Sequence, residues 1–494
     1  MSSTTTRRIV QPKTTYNNLL DKGRLYKVNL RMNNFGRIII SRHHSDNKQL
    51  LVTQFGFNWF RDIGACRVEE VINKRNVSNN RTVMNKDLCE RLAREKFYKL
   101  VDLRKYSDFI AKMYAKPENI SFRSIYIAQA YFEKLNSYGH NRDVKLPPEY
   151  VTKMIGLLDQ FMGPWIDDMA FDFDFESFIA TGKWLTHIKT ASNSGYPDNV
   201  KQDKAQMDRY AKIAIDVFND YIHGKDINWK KICFEEGHRT ERKDKIRVIC
   251  MAPTVEKVIS SVFACFMDIY NSSLPFNLPR KFGGPDKQME ILGQFKGAII
   301  TKDFDAYDTS IPIHIFVILR DWFKKYNNTL SKIIQFELDV IIHSFMAVAP
   351  NYVFWIAALP SGIGTTQFIG SLIHWILDLI FEIVTNFAIY QSDDNIARTD
   401  LSLTDLNKCI KNLMDVTHME VSPYGDKSFY NESQGRFLQK IFDFENKIYY
   451  NHEQRAFTNA IFRERQMDDD TIFNILFETN NKDINHKKMV LAYL

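Results

Sequence analysis

The chain has 494 residues, 45% of them hydrophobic and 13% aromatic, enough for two to four packed subdomains or one large domain, and this argues against a disordered chain. A net charge of +7 is modest, so a polyanionic partner is drawn only where Lys and Arg cluster. Six cysteines without a Cys-x-x-Cys spacing speak for reduced thiols and against a disulfide framework or a zinc module.

The segment from Met1 to Lys13 is polar and basic and has no apolar core of the kind a secretory signal needs. His43-His44 has no partner at metal-ligand spacing and reads as surface. Helical patterning dominates the chain up to about residue 180. Thr190-Ala191-Ser192-Asn193-Ser194-Gly195-Tyr196-Pro197 is rich in turn formers and reads as a loop. Between His238 and Cys250 five cations fall within nine residues: Arg239, Arg242, Lys243, Lys245 and Arg247. The forked guanidinium and the compact ammonium both suit phosphate, although a solvated charged face is the plainer reading of such a run. No internal repeat, low-complexity tract or Gly/Ser linker marks a boundary, so the subdomains are expected to interleave.

Gly297-Ala298-Ile299-Ile300-Thr301 reads as a short strand that ends at Lys302-Asp303-Phe304-Asp305-Ala306-Tyr307-Asp308. Ile311, Ile315, Leu319 and Trp322 then recur at helical spacing. For the middle carboxylate, Asp305, a role in capping that helix is favoured, because negative charge suits a helix N-terminus. Farther on, Leu359-Pro360-Ser361-Gly362-Ile363-Gly364-Thr365-Thr366-Gln367 makes an adjustable loop whose hydroxyls suit a sugar or phosphate. The apolar stretch from Phe368 to Tyr390 is interrupted by His374, Asp378 and Glu382, so a buried helix followed by a strand fits better than a membrane span. The strand runs into Gln391-Ser392-Asp393-Asp394-Asn395. Two adjacent carboxylates at a strand end repel each other unless a cation joins them. Other acidic pairs in the chain, Asp167-Asp168 and Asp468-Asp469-Asp470, read as solvated surface. With Asp303 upstream, Asp393 and Asp394 are candidates to hold two divalent ions about 3.5–4 Å apart, an arrangement that drives phosphoryl transfer. Mg²⁺ is the expected ion, with Mn²⁺ as a substitute.

In this order the motifs resemble those of viral RNA-dependent RNA polymerases, over roughly residues 190 to 440, most closely those of small double-stranded RNA viruses of the partitivirus and picobirnavirus type. Ser194 and Gly195 look like the motif where the template enters, and Arg239 to Arg247 like the basic triphosphate-binding motif. Asp303 and Asp308 match the first palm motif; Ser361, Gly362 and Thr366 the second; Ser392-Asp393-Asp394 the third. Lys427 resembles the lysine of the fourth motif, as general acid or as phosphate-positioning group, and Arg436, Phe437 and Leu438 resemble the hairpin that grips the priming strand. Two positions depart from the family's pattern. Gly370 stands where the family has Asn, which leaves the sugar-sensing hydrogen bond to Ser361, Thr365, Thr366 or Ser371, and Ser392 stands where Gly is commoner.

The resemblance implies an α+β right hand with helix-rich fingers and a ferredoxin-like antiparallel palm sheet. Its expected divisions are 1–140 for an N-terminal extension and outer fingers, 141–255 and 281–296 for fingers, 256–280 and 297–435 for palm, and 436–494 for a small thumb. It further implies template and product RNA and ribonucleoside triphosphates as partners, with a viral capsid protein as a further candidate, no membrane span, and a virion interior or host cytoplasm as the setting. A reverse transcriptase and a catalytically inactive palm-fold scaffold that binds RNA are the rival readings.

Overall fold

The computed structural model describes residues 141–451 apart from 142, 169–171, 189–203, 228–233, 241–245, 344, 350–351, 356–357, 361, 426 and 439, together with three strands nearer the N-terminus. Those strands, β1 (Leu25–Met32), β2 (Ile38–Arg42) and β3 (Thr53–Phe55), lie in the region where the sequence suggests helices. They join a seven-stranded sheet of order β3-β2-β1-β8-β7-β4-β5, whose other members are β4 (Phe234–Thr240), β5 (Ile246–Met251), β7 (Phe345–Ala349) and β8 (Tyr352–Trp355).

The second sheet carries the acidic motifs. It is built from β6 (Ala298–Thr301), β9 (Phe387–Gln391), β10 (Asp394–Thr399) and β11 (Phe429–Asn431), in the spatial order β11-β6-β10-β9 with every neighbour antiparallel. Counted along the chain this is fourth, first, third, second, the split β-α-β arrangement of ferredoxin-like sheets. Alternation along the strands feeds two cores. Ile300, Ala388, Tyr390 and Ala397 face the main core, which includes α1 (Thr254–Tyr270), α2 (Ile313–Phe323), α3 (Thr329–His343), α4 (Thr366–Ile380) and α5 (Leu403–Thr417). Ile299, Ile389 and Ile396 face a smaller one shared with Met289, Leu292, Phe437 and Phe442. Phe437 and Phe442 come from the third sheet, β12 (Gln434–Phe437), β13 (Lys440–Asp443) and β14 (Ile448–Asn451).

The apolar stretch after Phe368 is a buried helix and then a strand, as its charged interruptions suggest. Among the described residues no helix is long and apolar enough to cross a membrane. Glu382 ends the helical stretch on the surface, paired with Lys153 at 3.1 Å. Asp378 and His374 are instead fully buried. Asp378 Oδ1 accepts from the ammonium of Lys302, also fully buried, and Asp378 Oδ2 accepts from the Tyr390 hydroxyl at 3.1 Å. Burial pushes the lysine's pKa down and the aspartate's up, so each needs the other to stay charged. Removing one partner strands the other. Asp378→Ala is expected to lower the free energy of unfolding by about 3–5 kcal/mol. Adding Lys302→Met to that variant is expected to recover part of the loss; urea denaturation of the two variants and the parent measures both effects.

Candidate active site

Strand register brings the sequence-predicted carboxylates together. β6 and β10 pair Ile300 with Ala397 and Ile299 with Arg398, and one step beyond the strand the Lys302 N–H donates to Asn395 Oδ1 at 2.8 Å. The same register sets Asp303 opposite Asp394. On the other side β11 pairs Phe429 with Thr301, which sets Lys427 opposite Asp303. The Lys427 ammonium lies 3.7 Å from Asp303 Oδ2. Lys427, Asp303 and Asp394 thus form one row across the sheet end.

Asp303 is clamped by the segment that follows α5. Its N–H donates to Ser428 Oγ at 3.1 Å, its carbonyl accepts from the Ser422 N–H at 2.9 Å, and its Oδ2 accepts from Ser422 Oγ at 3.3 Å. Asp305 is exposed, and its N–H donates to the Glu420 carbonyl at 2.9 Å. It does not cap α2 as the sequence suggests, where Pro312 holds the cap position, nor the short helix Tyr307–Ser310, where Ala306 holds it at φ 53°; neither cap has a side-chain hydrogen bond. Asp308 sits in the first turn of that helix, half-buried, and its carbonyl accepts from Leu359 N–H at 2.8 Å, which joins the first acidic motif to the Gly-containing loop.

β9 and β10 pair Gln391 with Asp394, leaving Ser392-Asp393 as a two-residue turn with Ser392 at φ 57°. Asp393 and Asp394 are exposed. The turn is held from beneath: Ser392 N–H donates to Ser371 Oγ at 2.8 Å, and the Ser392 carbonyl lies 2.9 Å from His374 Nδ1. A carbonyl only accepts, so Nδ1 carries the imidazole proton. Burial and the nearby Lys302 charge hold His374 well below its ordinary pKa, so it is neutral. Tyr307, fully buried, donates to the Gly370 carbonyl at 2.7 Å. Burial raises its pKa well above the usual phenol value, and the charges of Asp393, Asp308 and Asp378 raise it further.

Four hydroxyls were candidates for the sugar contact at Gly370, and the structure turns three of them inward. Thr365 is fully buried and donates to Glu337 Oε2 at 3.2 Å; Thr366 donates to the carbonyls of Pro360 and Ile363, the latter at 3.0 Å; Ser371 serves the Ser392 turn. Ser361 lies outside the described residues. Gly362 is required by close approach, since a Cβ there would meet the Cys250 carbonyl oxygen at 2.6 Å.

The basic run forms a hairpin, β4 with β5, in which Arg239 and Arg247 are register partners. Arg242, Lys243 and Lys245, and likewise Ser194 and Gly195, lie outside the described residues. Of the priming-strand candidates, Arg436 is exposed, with its guanidinium 5.8 Å from the Phe429 ring centroid, and Leu438 stands in a left-handed turn at φ 46°. Phe437 is buried in the smaller core and so presents no ring for a strand to touch.

No protein-family model and no curated protein matches the sequence. The structure is similar to a crystal structure of the RNA-dependent RNA polymerase of a human picobirnavirus, with a TM-score of 0.55 and 13% identity over 83% of this chain and 84% of that one. It is also similar to an insertion-loop deletion mutant of that enzyme, with a TM-score of 0.53 and 13% identity over 82% and 83%. The fold is that of a viral RNA-dependent RNA polymerase.

Within this polymerase fold the Gly-containing loop stands on a buried acidic pair that nothing in the sequence pattern flags. Glu256 of α1 and Glu337 of α3 are both fully buried and within hydrogen-bonding reach of each other, a bond that exists only when one of them keeps its proton. Thr365 donates to Glu337, and the Gly364 N–H donates to Ser260 Oγ at 3.0 Å, so the loop rests on both helices. Burial pushes Glu256 up to about 7, and burial together with the charge of Glu256 holds Glu337 well above its ordinary value. A carboxyl whose folded pKa is raised contributes stability that is fully present below its unfolded value of 4.5 and is lost as pH rises through about 7. Thermal unfolding should therefore show the parent losing stability between about pH 5 and 8, and Glu256→Gln, which cannot ionise, losing less over that window.

Proposed function

We propose that the chain is an RNA-directed RNA polymerase that copies a viral RNA template from ribonucleoside triphosphates. The observation that carries this reading is the row Lys427, Asp303, Asp394 at one sheet end, with Asp393 in the adjoining turn and Asp308 at the next helix start. In this reading the four-stranded sheet with its helices is the palm, the seven-stranded sheet belongs to the fingers, and the short sheet after Gln434 begins a small thumb.

The donors at the row are hard oxygens, half-buried or exposed, which suits Mg²⁺ or Mn²⁺. Among the described residues no three His, Cys, Asp or Glu side chains already converge on one point. Mg²⁺ does not need such a cage, because it keeps waters and takes substrate phosphate oxygens alongside one or two carboxylates. Asp303, Asp393 and Asp394 would hold the pair of ions, which supply activation of the attacking hydroxyl and charge neutralisation on the triphosphate. Lys427, half-exposed and already beside Asp303, would orient a phosphate or protonate leaving pyrophosphate. Arg239, Arg242, Lys243, Lys245 and Arg247 would neutralise the triphosphate as charge develops. Asp308 would sense the ribose 2′-hydroxyl at a position where reverse transcriptases place an aromatic gate, and Gly362, with Ser361 beside it, would line the nucleotide. Ser194, Gly195 and Arg436 would meet template and priming strand mainly through backbone contacts, because base pairing supplies sequence choice. RNA, nucleotides and a capsid protein are the partners this reading brings, within a virion or the host cytoplasm.

Incorporation of labelled ribonucleotide on primed and unprimed RNA, with Mg²⁺ or Mn²⁺, tests the reading. Well-folded protein that binds RNA across a salt series yet yields no product would favour the scaffold reading. Asp393→Asn is expected to reduce incorporation by at least 10²–10³-fold, roughly what loss of one preorganised charge contact costs, with RNA binding kept. Asp308→Ala is expected to lower the preference for ribo- over deoxyribonucleotides by roughly tenfold, the worth of one hydrogen bond. Equal sugar preference in parent and variant would remove Asp308 from that role.

A further inference from the structure

Two residues beside the aspartate turn break local rules in opposite senses. Gly370 lies inside α4, where glycine weakens a helix. Ser392 opens a two-residue hairpin turn at φ 57°, a conformation that glycine adopts without strain and serine does not. Each position would suit the other's residue better by local preference alone.

The fold sets the two against each other. A Cβ on Gly370 would come within 2.4 Å of Ser392 Oγ and 3.2 Å of Ser392 Cβ, with Leu359 Cδ2 at 3.1 Å. Real Cβ atoms do not approach an oxygen that closely, so a side chain at 370 forces the Ser392 hydroxyl to turn away, and even then the Ser392 Cβ and Leu359 leave the contact tighter than ordinary packing. The Ser392 hydroxyl is buried there and, among the described residues, finds no hydrogen-bond partner. It therefore acts by filling space, and what it fills is the place where a side chain at 370 would stand. The backbone around the contact is fixed on both sides. The Gly370 carbonyl accepts from Tyr307 of the first motif, and the Ser392 N–H and carbonyl are held by Ser371 and His374 of α4. The hairpin cannot slide aside to relieve a clash without breaking one of these bonds.

We propose that Gly370 and Ser392 are a matched pair that sets the height of the aspartate turn above α4. Gly370 is then a positioning residue for Asp393, acting through Ser392. A side chain at 370 lifts the turn and carries Asp393 away from Asp303; a glycine at 392 makes room for that side chain. The consequence for catalysis rests on the polymerase reading above, whereas the contact itself does not.

A mutant cycle of G370A, S392G and G370A/S392G in the full chain separates the two. In primer extension with a Mg²⁺ titration, G370A is expected to lose roughly tenfold to a hundredfold in kcat/KM and to need more Mg²⁺ for half-maximal rate. S392G is expected to lose less, and the double variant to regain most of what G370A loses, including its Mg²⁺ requirement. In thermal unfolding G370A is expected to melt below the parent although alanine favours helix, and the double variant above G370A. A double variant as impaired as G370A, or a G370A with unaltered rate and Mg²⁺ requirement, overturns the proposal. If the parent incorporates no nucleotide, the polymerase reading falls, and the melting cycle alone decides the contact: additive shifts overturn it and coupled shifts support it. If G370A does not fold, recovery of folded protein in the double variant is the rescue, and failure of both to fold counts against the pair.

Discussion

The ion pair of Lys302 and Asp378 is the contact on which the site's geometry depends. Two charges taken fully out of water are tolerated only when their partners are met in one arrangement. Lys302 directly precedes Asp303 and Asp378 lies on α4, so satisfying the pair fixes the strand that delivers the first carboxylate against the helix beneath the second motif. The Tyr390 hydroxyl takes the other oxygen of Asp378, which ties in β9, the strand that leads to the aspartate turn. An apolar core attracts without direction, and by itself would not align two strand ends to within a hydrogen bond. Here three motifs distant in sequence share one buried carboxylate.

This layer also shapes the electrostatics above it. Lys302 and Asp378 cancel, His374 is neutral, and the phenols of Tyr307 and Tyr390 are held protonated by burial. The floor under the acidic turns is therefore buried and carries no net charge. The aromatic rings of Phe304, Tyr307, His374 and Tyr390 pack together in it, with centroids 5.0–6.0 Å apart. Carboxylates standing on such a surface are poorly screened from below, which strengthens their attraction for cations arriving from the solvent side. The Lys427 ammonium beside Asp303 is one such cation, supplied by the protein itself.

What the sequence made legible was local: an apolar strand ending in Asp393-Asp394, a second ending near Asp303, and a Gly- and Thr-bearing loop between them. Those features follow from periodicity of two and from the residues turns require. What it hid was every contact that depends on a partner far along the chain. Lys302 reads as one more charge in a polar turn, and only Asp378, some 76 positions on, makes it a core residue. Asp378 and His374 signalled no more than that the apolar segment does not span a membrane, although their spacing of one helical turn was a trace of a shared buried face. Thr365 and Ser371 are candidate sugar contacts by sequence and structural struts by position. Phe437 follows a strand's alternation into a core that cannot be drawn until the third sheet is placed.

Left-handed non-glycine residues occur at both acidic turns, Ala306 beside the first and Ser392 within the second. Such conformations cost free energy and persist where the surroundings over-determine them. Tyr307, next to Ala306, reaches Gly370, and Gly370 meets Ser392, so the two strained turns brace each other across one glycine in α4. Two departures from a familiar motif pattern, 22 positions apart along the chain, become a single packing constraint in space. Strain at one turn is thereby opposed by contact with the other.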